Sequence, residues 1–280
     1  MVSIPTAILP NGEKVAALGQ GTWTMGESAR RRKDEVAALR LGFDLGMTLV
    51  DTAEMYASGG AEEVVGEAIA GRRDEIFIVT KVLPQNASRR GTVNACEKSL
   101  KRLKVDTIDL YLLHWPASVP FSETLEAFVV LHKAGKIRHW GVSNFDVREM
   151  DGVITLPSGG SVATDQVMYN LNRRGIEFSL IPWCEQHRVP IMAYSPLDQG
   201  KLLRSSVVEQ IAARHSATHA QVALAWILRQ RNMILIPKAG TEDHVRENYG
   251  ALKLRLDAAD LAELDRAFPP PGRKKPLEST

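Results

Sequence analysis

Ile76-Phe77-Ile78-Val79-Thr80-Lys81, a helical pattern over residues 92–104, then Ile108-Asp109-Leu110-Tyr111-Leu112-Leu113-His114: this stretch decides the fold. Its two ends are apolar runs of strand length. Between them Val93, Cys96, Leu100 and Leu103 recur at helical spacing, with Thr92 as the candidate cap. Strand, helix and strand at this spacing form one parallel βαβ unit, about 30 residues long.

The same alternation extends in both directions. Further helical patterns cover residues 62–70, 122–133, 207–214 and 220–229, and about eight units fit between residues 16 and 236. Residues 205–231 carry two helical patterns in succession, so an extra helix is expected there. Ala7-Ile8-Leu9 and Lys14-Val15-Ala16 flank Asn11-Gly12, a strong hairpin turn. Together these predict an α/β fold, a (β/α)8 TIM barrel with an N-terminal β-hairpin and additional helices. Residues 1–280 are expected to be a single barrel domain, with a hairpin over 1–17 and an irregular tail over 268–280. The 280-residue length suits one such barrel, typically about 250 residues.

Chemically useful residues close the apolar runs. Asp51 follows Leu49-Val50, Lys81 follows Val79-Thr80 and His114 follows Leu112-Leu113. Ser143 and Asn144, Tyr194 and Lys238 end later runs. A parallel barrel gathers its strand ends on one face, where barrel enzymes hold their active sites.

Composition narrows the function classes. A formal charge of +2 gives no basic stripe for nucleic acid, and Arg30-Arg31-Arg32-Lys33 runs straight into Asp34-Glu35. No apolar run approaches the roughly 18 residues of a membrane span, and the N-terminus lacks a secretory pattern. Cys96 and Cys184 form no C-x-x-C pair, so a metal or redox role is not expected. A cytoplasmic monomer with no nucleic-acid or membrane partner is the expectation.

Gly19-Gln20-Gly21-Thr22-Trp23-Thr24 lacks the third glycine of a dinucleotide fingerprint, and Gly141-Val142-Ser143-Asn144-Phe145 lacks the last glycine of a nucleophile elbow. The group Asp51, Tyr56, Lys81 and His114 says more. A phenol has an ordinary pKa of about 10, and a nearby ammonium lowers it by about 1–3 units. Lys81 is the candidate cation, Asp51 its holder, and His114 a donor to a substrate oxygen. Such a set protonates an oxygen that gains negative charge, as in carbonyl reduction, with the hydride coming from a cofactor. A Schiff-base role for Lys81 is the rival chemistry, and it requires a neutral amine.

Asp51-Thr52-Ala53-Glu54-Met55-Tyr56, Lys81, Leu112-Leu113-His114-Trp115-Pro116, Gly141-Val142-Ser143-Asn144-Phe145, Ala193-Tyr194-Ser195-Pro196-Leu197 and Ile236-Pro237-Lys238 resemble, in order, the aldo-keto reductases. The stretch from Gly19 through Gly26-Glu27 resembles the bacterial branch that reduces methylglyoxal. The resemblance implies reduction of aldehydes and ketones with NADPH, or alternatively NADH. It implies Tyr56 as general acid, Lys81 and Asp51 as its tuners, and His114 as the carbonyl-orienting donor. Ser143, Asn144 and Gln166 would bind the nicotinamide carboxamide, and Tyr194 would stack on its ring. Gly21, Thr22, Asp51, Ser195 and Leu197 would line the cofactor channel. Lys238, with Gly240, Thr241 and His244, would meet the adenosine 2′-phosphate, and Glu247 and Asn248 the adenine. Trp23, Met25, Tyr56, His114 and Trp115, with Phe121, would line the substrate pocket, and no metal is implied.

Two positions depart from the family pattern. His244 stands where an arginine is usual, and Glu242 and Asp243 put negative charge beside it. Asp198 stands where a glycine often follows Ser-Pro-Leu. The short loop after Trp115 and the short tail predict a shallow pocket for small carbonyl compounds. The second reading is a nicotinamide-nucleotide-binding redox sensor without significant turnover.

Overall fold

The computed structural model describes residues 2–279. Thr6–Ile8 (β1) pairs antiparallel with Lys14–Ala16 (β2). Gly12, at φ +90°, makes the turn between them, a conformation open to glycine. Eight parallel strands follow: Gln20–Gly21 (β3), Leu49–Asp51 (β4), Phe77–Val82 (β5), Ile108–Leu113 (β6), Ile137–Ser143 (β7), Asp165–Met168 (β8), Ile191–Tyr194 (β9) and Met233–Leu235 (β10). Each pairs with the next in sequence. Parallel bridges Leu18–Leu235 and Gly21–Lys238 join the first strand region to the last, so the sheet is a nearly closed barrel. Gly21 is needed at that seam, because a Cβ there would lie 2.7 Å from the carbonyl oxygen of Ile236.

Helices Arg32–Asp44 (α1), Gly60–Ala68 (α2), Arg89–Leu103 (α3), Phe121–Lys133 (α4), Val147–Thr155 (α5) and Leu180–His187 (α6) alternate with the strands. Ser206–Arg214 (α7) and His219–Leu228 (α8) both precede β10, and one of them is the expected extra helix. Glu242–Gly250 (α9) and Ala258–Ala267 (α10) complete the set. The cap of α3 is Ser88, whose hydroxyl accepts from Gly91 N, and not Thr92. Thr92 instead lies in the first turn, where its hydroxyl donates to Asn86 O.

Strand alternation divides the core. Leu49, Val79, Leu110, Leu112, Met192 and Ile234 meet inside the barrel, with Ala7, Leu9 and Val15 of the hairpin packed against them. Val50, Ile78, Tyr111, Leu113, Ile191 and Leu235 belong to the larger core shared with the helices. Side chains along a strand alternate with a period of two. Asp51, Lys81, His114 and Tyr194 therefore share the inward parity of Leu49, Val79, Leu112 and Met192. Continuing the inner rows past their apolar part brings those four to one mouth of the barrel.

Among the described residues, no helix is long and apolar enough to cross a membrane. Cys96 and Cys184 are buried and free, and burial pushes the Cys96 thiol up to about 12.

Candidate active site

A cleft of about 1150 Å³ opens at the barrel mouth where these strands end. Its floor holds Asp51, Tyr56 and His114, with Lys81 wholly buried beneath. Tyr56 starts a short 3-10 turn, Tyr56–Gly59, on the loop that follows β4. Ala57 and Ser58 both take left-handed backbone there. Glu54 steadies the loop by accepting from Leu83 N at 2.7 Å and Asn86 Nδ2 at 2.9 Å.

The three protons of the Lys81 ammonium are all placed. Nζ donates to Asp51 Oδ2 at 2.8 Å, to the Thr52 carbonyl at 2.8 Å and to the Tyr56 hydroxyl oxygen at 3.2 Å. Burial pulls the Lys81 pKa down, but the charge of Asp51 and the Tyr56 contact lift it above its ordinary value. Lys81 is thus a buried, committed cation, which opposes the Schiff-base alternative. The Tyr56 oxygen accepts from Lys81, so its own proton is left to point elsewhere.

Burial raises the Tyr56 pKa above its ordinary value, and the Lys81 cation only partly offsets this. The expected lowering by Lys81 is therefore outweighed, and the phenol stays protonated at neutral pH. His114 is held down to about 2 by burial and by the Lys81 charge, so its ring is neutral. The rings of Tyr56 and His114 stand edge to face with centroids 5.8 Å apart, and Trp115 leans on His114 at 4.8 Å.

Ser143, Asn144, Gln166 and Tyr194 form the next wall. Asn144, in left-handed backbone, donates to the His114 carbonyl at 3.1 Å and accepts from the Tyr194 hydroxyl at 2.9 Å. Ser143 Oγ donates to Gln166 O at 2.8 Å. Gln166 Nε2 reaches back across the barrel to Asp51 Oδ1 at 2.7 Å. Gly21, Thr22, Ser195, Leu197 and Lys238 continue the lining toward β10.

Several expected residues lie elsewhere. Met25 is fully buried in the helix-side core, because Thr24 takes left-handed backbone and Met25 N bonds back to Thr22 O. Phe121 packs on Trp140 and Phe145. Trp23, half exposed, and Trp115 do line the cleft. Gly240, Thr241, His244, Glu247 and Asn248 lie outside its lining. Thr241 caps α9 through His244 N, while Glu242 and Arg246 pair with each other at 3.5 Å on its exposed face. Asn248 is buried, and its Nδ2 has no hydrogen-bond partner.

Other lining residues were assigned no role from the sequence. Met55 and Pro116 belong to the quoted motifs but were given no role of their own, and Gln199 and Gly200 follow Ser195-Pro196-Leu197. Pro276, Leu277 and Ser279 come from the tail, which turns back over the mouth. Arg173 holds Glu278 at 2.5 Å, and Lys274 reaches Asp146 at 3.3 Å. Their only forewarning was a proline-rich tail with a basic run, Arg273-Lys274-Lys275, followed by Glu278.

A barrel whose mouth joins a buried Asp–Lys pair to a tyrosine and a neutral histidine defines a class, and sequence comparison agrees with it. The chain matches the aldo/keto reductase family over residues 17–268 and belongs to that family of oxidoreductases. It is 52% identical over 267 residues to the methylglyoxal reductase YeaE of Escherichia coli (strain K12), covering 94% of each chain. It is 33% identical over 263 residues to the glyoxal reductase of Bacillus subtilis, covering 93% of this chain and 91% of that one. The crystal structure of an aldo-keto reductase from Klebsiella pneumoniae in complex with NADPH superposes with a TM-score of 0.96 at 47% identity, covering 99% of this chain and 100% of that one.

Proposed function

We propose that this protein reduces small aldehydes and ketones, methylglyoxal among them, with NADPH, and that Tyr56 is the general acid. The observation that carries the reading is the Lys81 ammonium bonded at once to Asp51 and to the Tyr56 oxygen.

The residues fit a nicotinamide nucleotide. The cleft runs from His114 to Lys238. On α9, beyond Lys238, the buried Asn248 Nδ2 lacks a partner. Lys238 would meet the 2′-phosphate, Asn248 and Glu247 the adenine, and Ser143, Asn144 and Gln166 the carboxamide. Tyr194 would stack on the nicotinamide ring, with Gly21, Thr22, Ser195 and Leu197 along the channel. When bound, that group supplies the hydride that no side chain carries.

The chain's own residues handle the proton. His114 lacks a partner at its buried Nδ1, so we assign its single N–H to Nε2, facing the cleft. That N–H and the Tyr56 O–H both donate to the substrate carbonyl oxygen. As charge builds on that oxygen the Tyr56 proton moves to it. The tyrosinate left behind already accepts a bond from Lys81, whose charge Asp51 keeps in place. Donors fixed before reaction stabilise developing charge without reorganisation.

Trp23, Met55, Trp115 and Leu277 give the substrate end an apolar rim, which suits small carbonyl compounds. The proposed partner is such a molecule, acting on a monomer. Consumption of NADPH with methylglyoxal is the direct test. Tyr56→Phe should lower the rate by at least about 10²-fold with NADPH binding intact. No turnover across a varied aldehyde panel with either NADPH or NADH would overturn the reading.

A further inference from the structure

The loop after β9 holds its shape in an unusual way. Ser195, Asp198, Gln199 and Gly200 all take positive φ, and only the last is glycine. Ser195, Leu197, Gln199 and Gly200 line the cleft, whereas Asp198 turns away from it and is buried. Aspartate tolerates left-handed backbone better than most residues. Glycine would fit the same backbone with no side chain to anchor it.

The Asp198 carboxylate is anchored. Asn172 Nδ2 donates to its Oδ2 at 2.9 Å, and Arg173 Nε lies 4.0 Å from Oδ1. Asn170, on the same turn, donates to the Ser195 carbonyl at 2.9 Å. The same Arg173 holds Glu278 of the tail with its Nη1. One turn, residues 170–173, therefore grips two covers of the cleft: the loop on the cofactor side and the tail on the substrate side.

We propose that Asp198 is a positioning residue that pins the cofactor-side loop, and that Arg173 ties this loop to the C-terminal tail. Release of nicotinamide nucleotide then requires the loop to leave Asn172 and Arg173, and a loosened tail weakens that hold. The inference rests on the cofactor reading above.

The test is the NADPH dissociation rate, followed by stopped-flow fluorescence without carbonyl substrate. Asp198→Gly keeps the backbone and removes the anchor, so release should quicken about fivefold, the scale of one lost hydrogen bond. Asp198→Asn keeps the backbone and an acceptor for Asn172, so the change should stay below about twofold, the scale of a part-exposed ion pair. Glu278→Gln should quicken release when residue 198 is aspartate and have no effect in the Asp198→Asn background. Release from Asp198→Gly at the unaltered rate would overturn the pin. An equal effect of Glu278→Gln in both backgrounds, including none, would overturn the tie. Failure of the unaltered protein to bind NADPH would instead overturn the cofactor reading, and this inference with it.

Discussion

Gln166 donates Nε2 to Asp51 Oδ1 across 2.7 Å, joining β8 to β4 through the barrel interior. The other oxygen of Asp51 accepts from Lys81. The carboxylate that holds the lysine is thus itself held by a residue on the proposed cofactor wall. The proposed proton donor Tyr56 and the proposed cofactor wall are thereby joined by one buried hydrogen-bond chain through Lys81, Asp51 and Gln166.

The Asp51–Lys81 pair is fully buried. Removing one partner leaves the other charged and uncompensated, a loss of about 3–5 kcal/mol. Asp51→Asn and Lys81→Met should each lower folding stability on that scale, measured by denaturant unfolding. Both should also cut turnover by at least about 10²-fold, because the Tyr56 proton loses its charge support. A stable, fully active Lys81→Met protein would refute the assigned role.

The pH dependence follows from His114. Its pKa is about 2 when folded, against about 6.5 unfolded. Between those values the unfolded chain binds the extra proton, so stability rises with pH there and is lost as pH falls from 6.5 toward 2. Comparing the unfolding free energy of the unaltered protein and His114→Gln across acidic pH isolates this slope, which approaches about 1.4 kcal/mol per pH unit. Turnover should show no acid limb near pH 6.5, since the ring is already neutral there. Tyr56, raised by burial, places the alkaline limb above its ordinary value of about 10.

His244 is exposed on the first turn of α9, beside Glu242 and Asp243. Arg246 is paired with Glu242 at 3.5 Å, whereas Lys238, the proposed phosphate contact, is in the cleft lining. His244→Arg should raise the preference for NADPH over NADH by about threefold to fivefold, the scale of an exposed ion pair. Lys238→Met should erase most of the preference and spare NADH binding. Titration of both nucleotides against each variant checks this.

Gly21 closes the barrel and lines the cleft at once. A methyl there would press on the Ile236 backbone, which cannot swing aside as a side chain can. Gly21→Ala should destabilise by about 1–3 kcal/mol, the usual cost of overpacking. It should also weaken nucleotide binding, read by fluorescence titration alongside thermal unfolding.

Much of this molecule was legible in its chain. Apolar runs of strand length separated by helical patterns determined the alternating strand and helix order. The period of two within each run determines which residues share a face, and the closed sheet decided which face is the interior. Asp51, Lys81, His114 and Tyr194 could be read as strand-end residues because each closes an apolar run, a local property of the chain. The tertiary structure alone decided what depends on distant segments meeting. Gln166 finds Asp51 only because the sheet closes on itself. Thr24, taking left-handed backbone, sends Met25 into the core. Tyr56 ends with a raised pKa because burial, summed over every neighbour, outweighs the one cation beside it. The tail covers the mouth because Arg173 and Lys274 catch Glu278 and Asp146 at the surface. Local periodicity fixes the direction of a side chain, whereas its partners, burial and charge state are set by the whole fold.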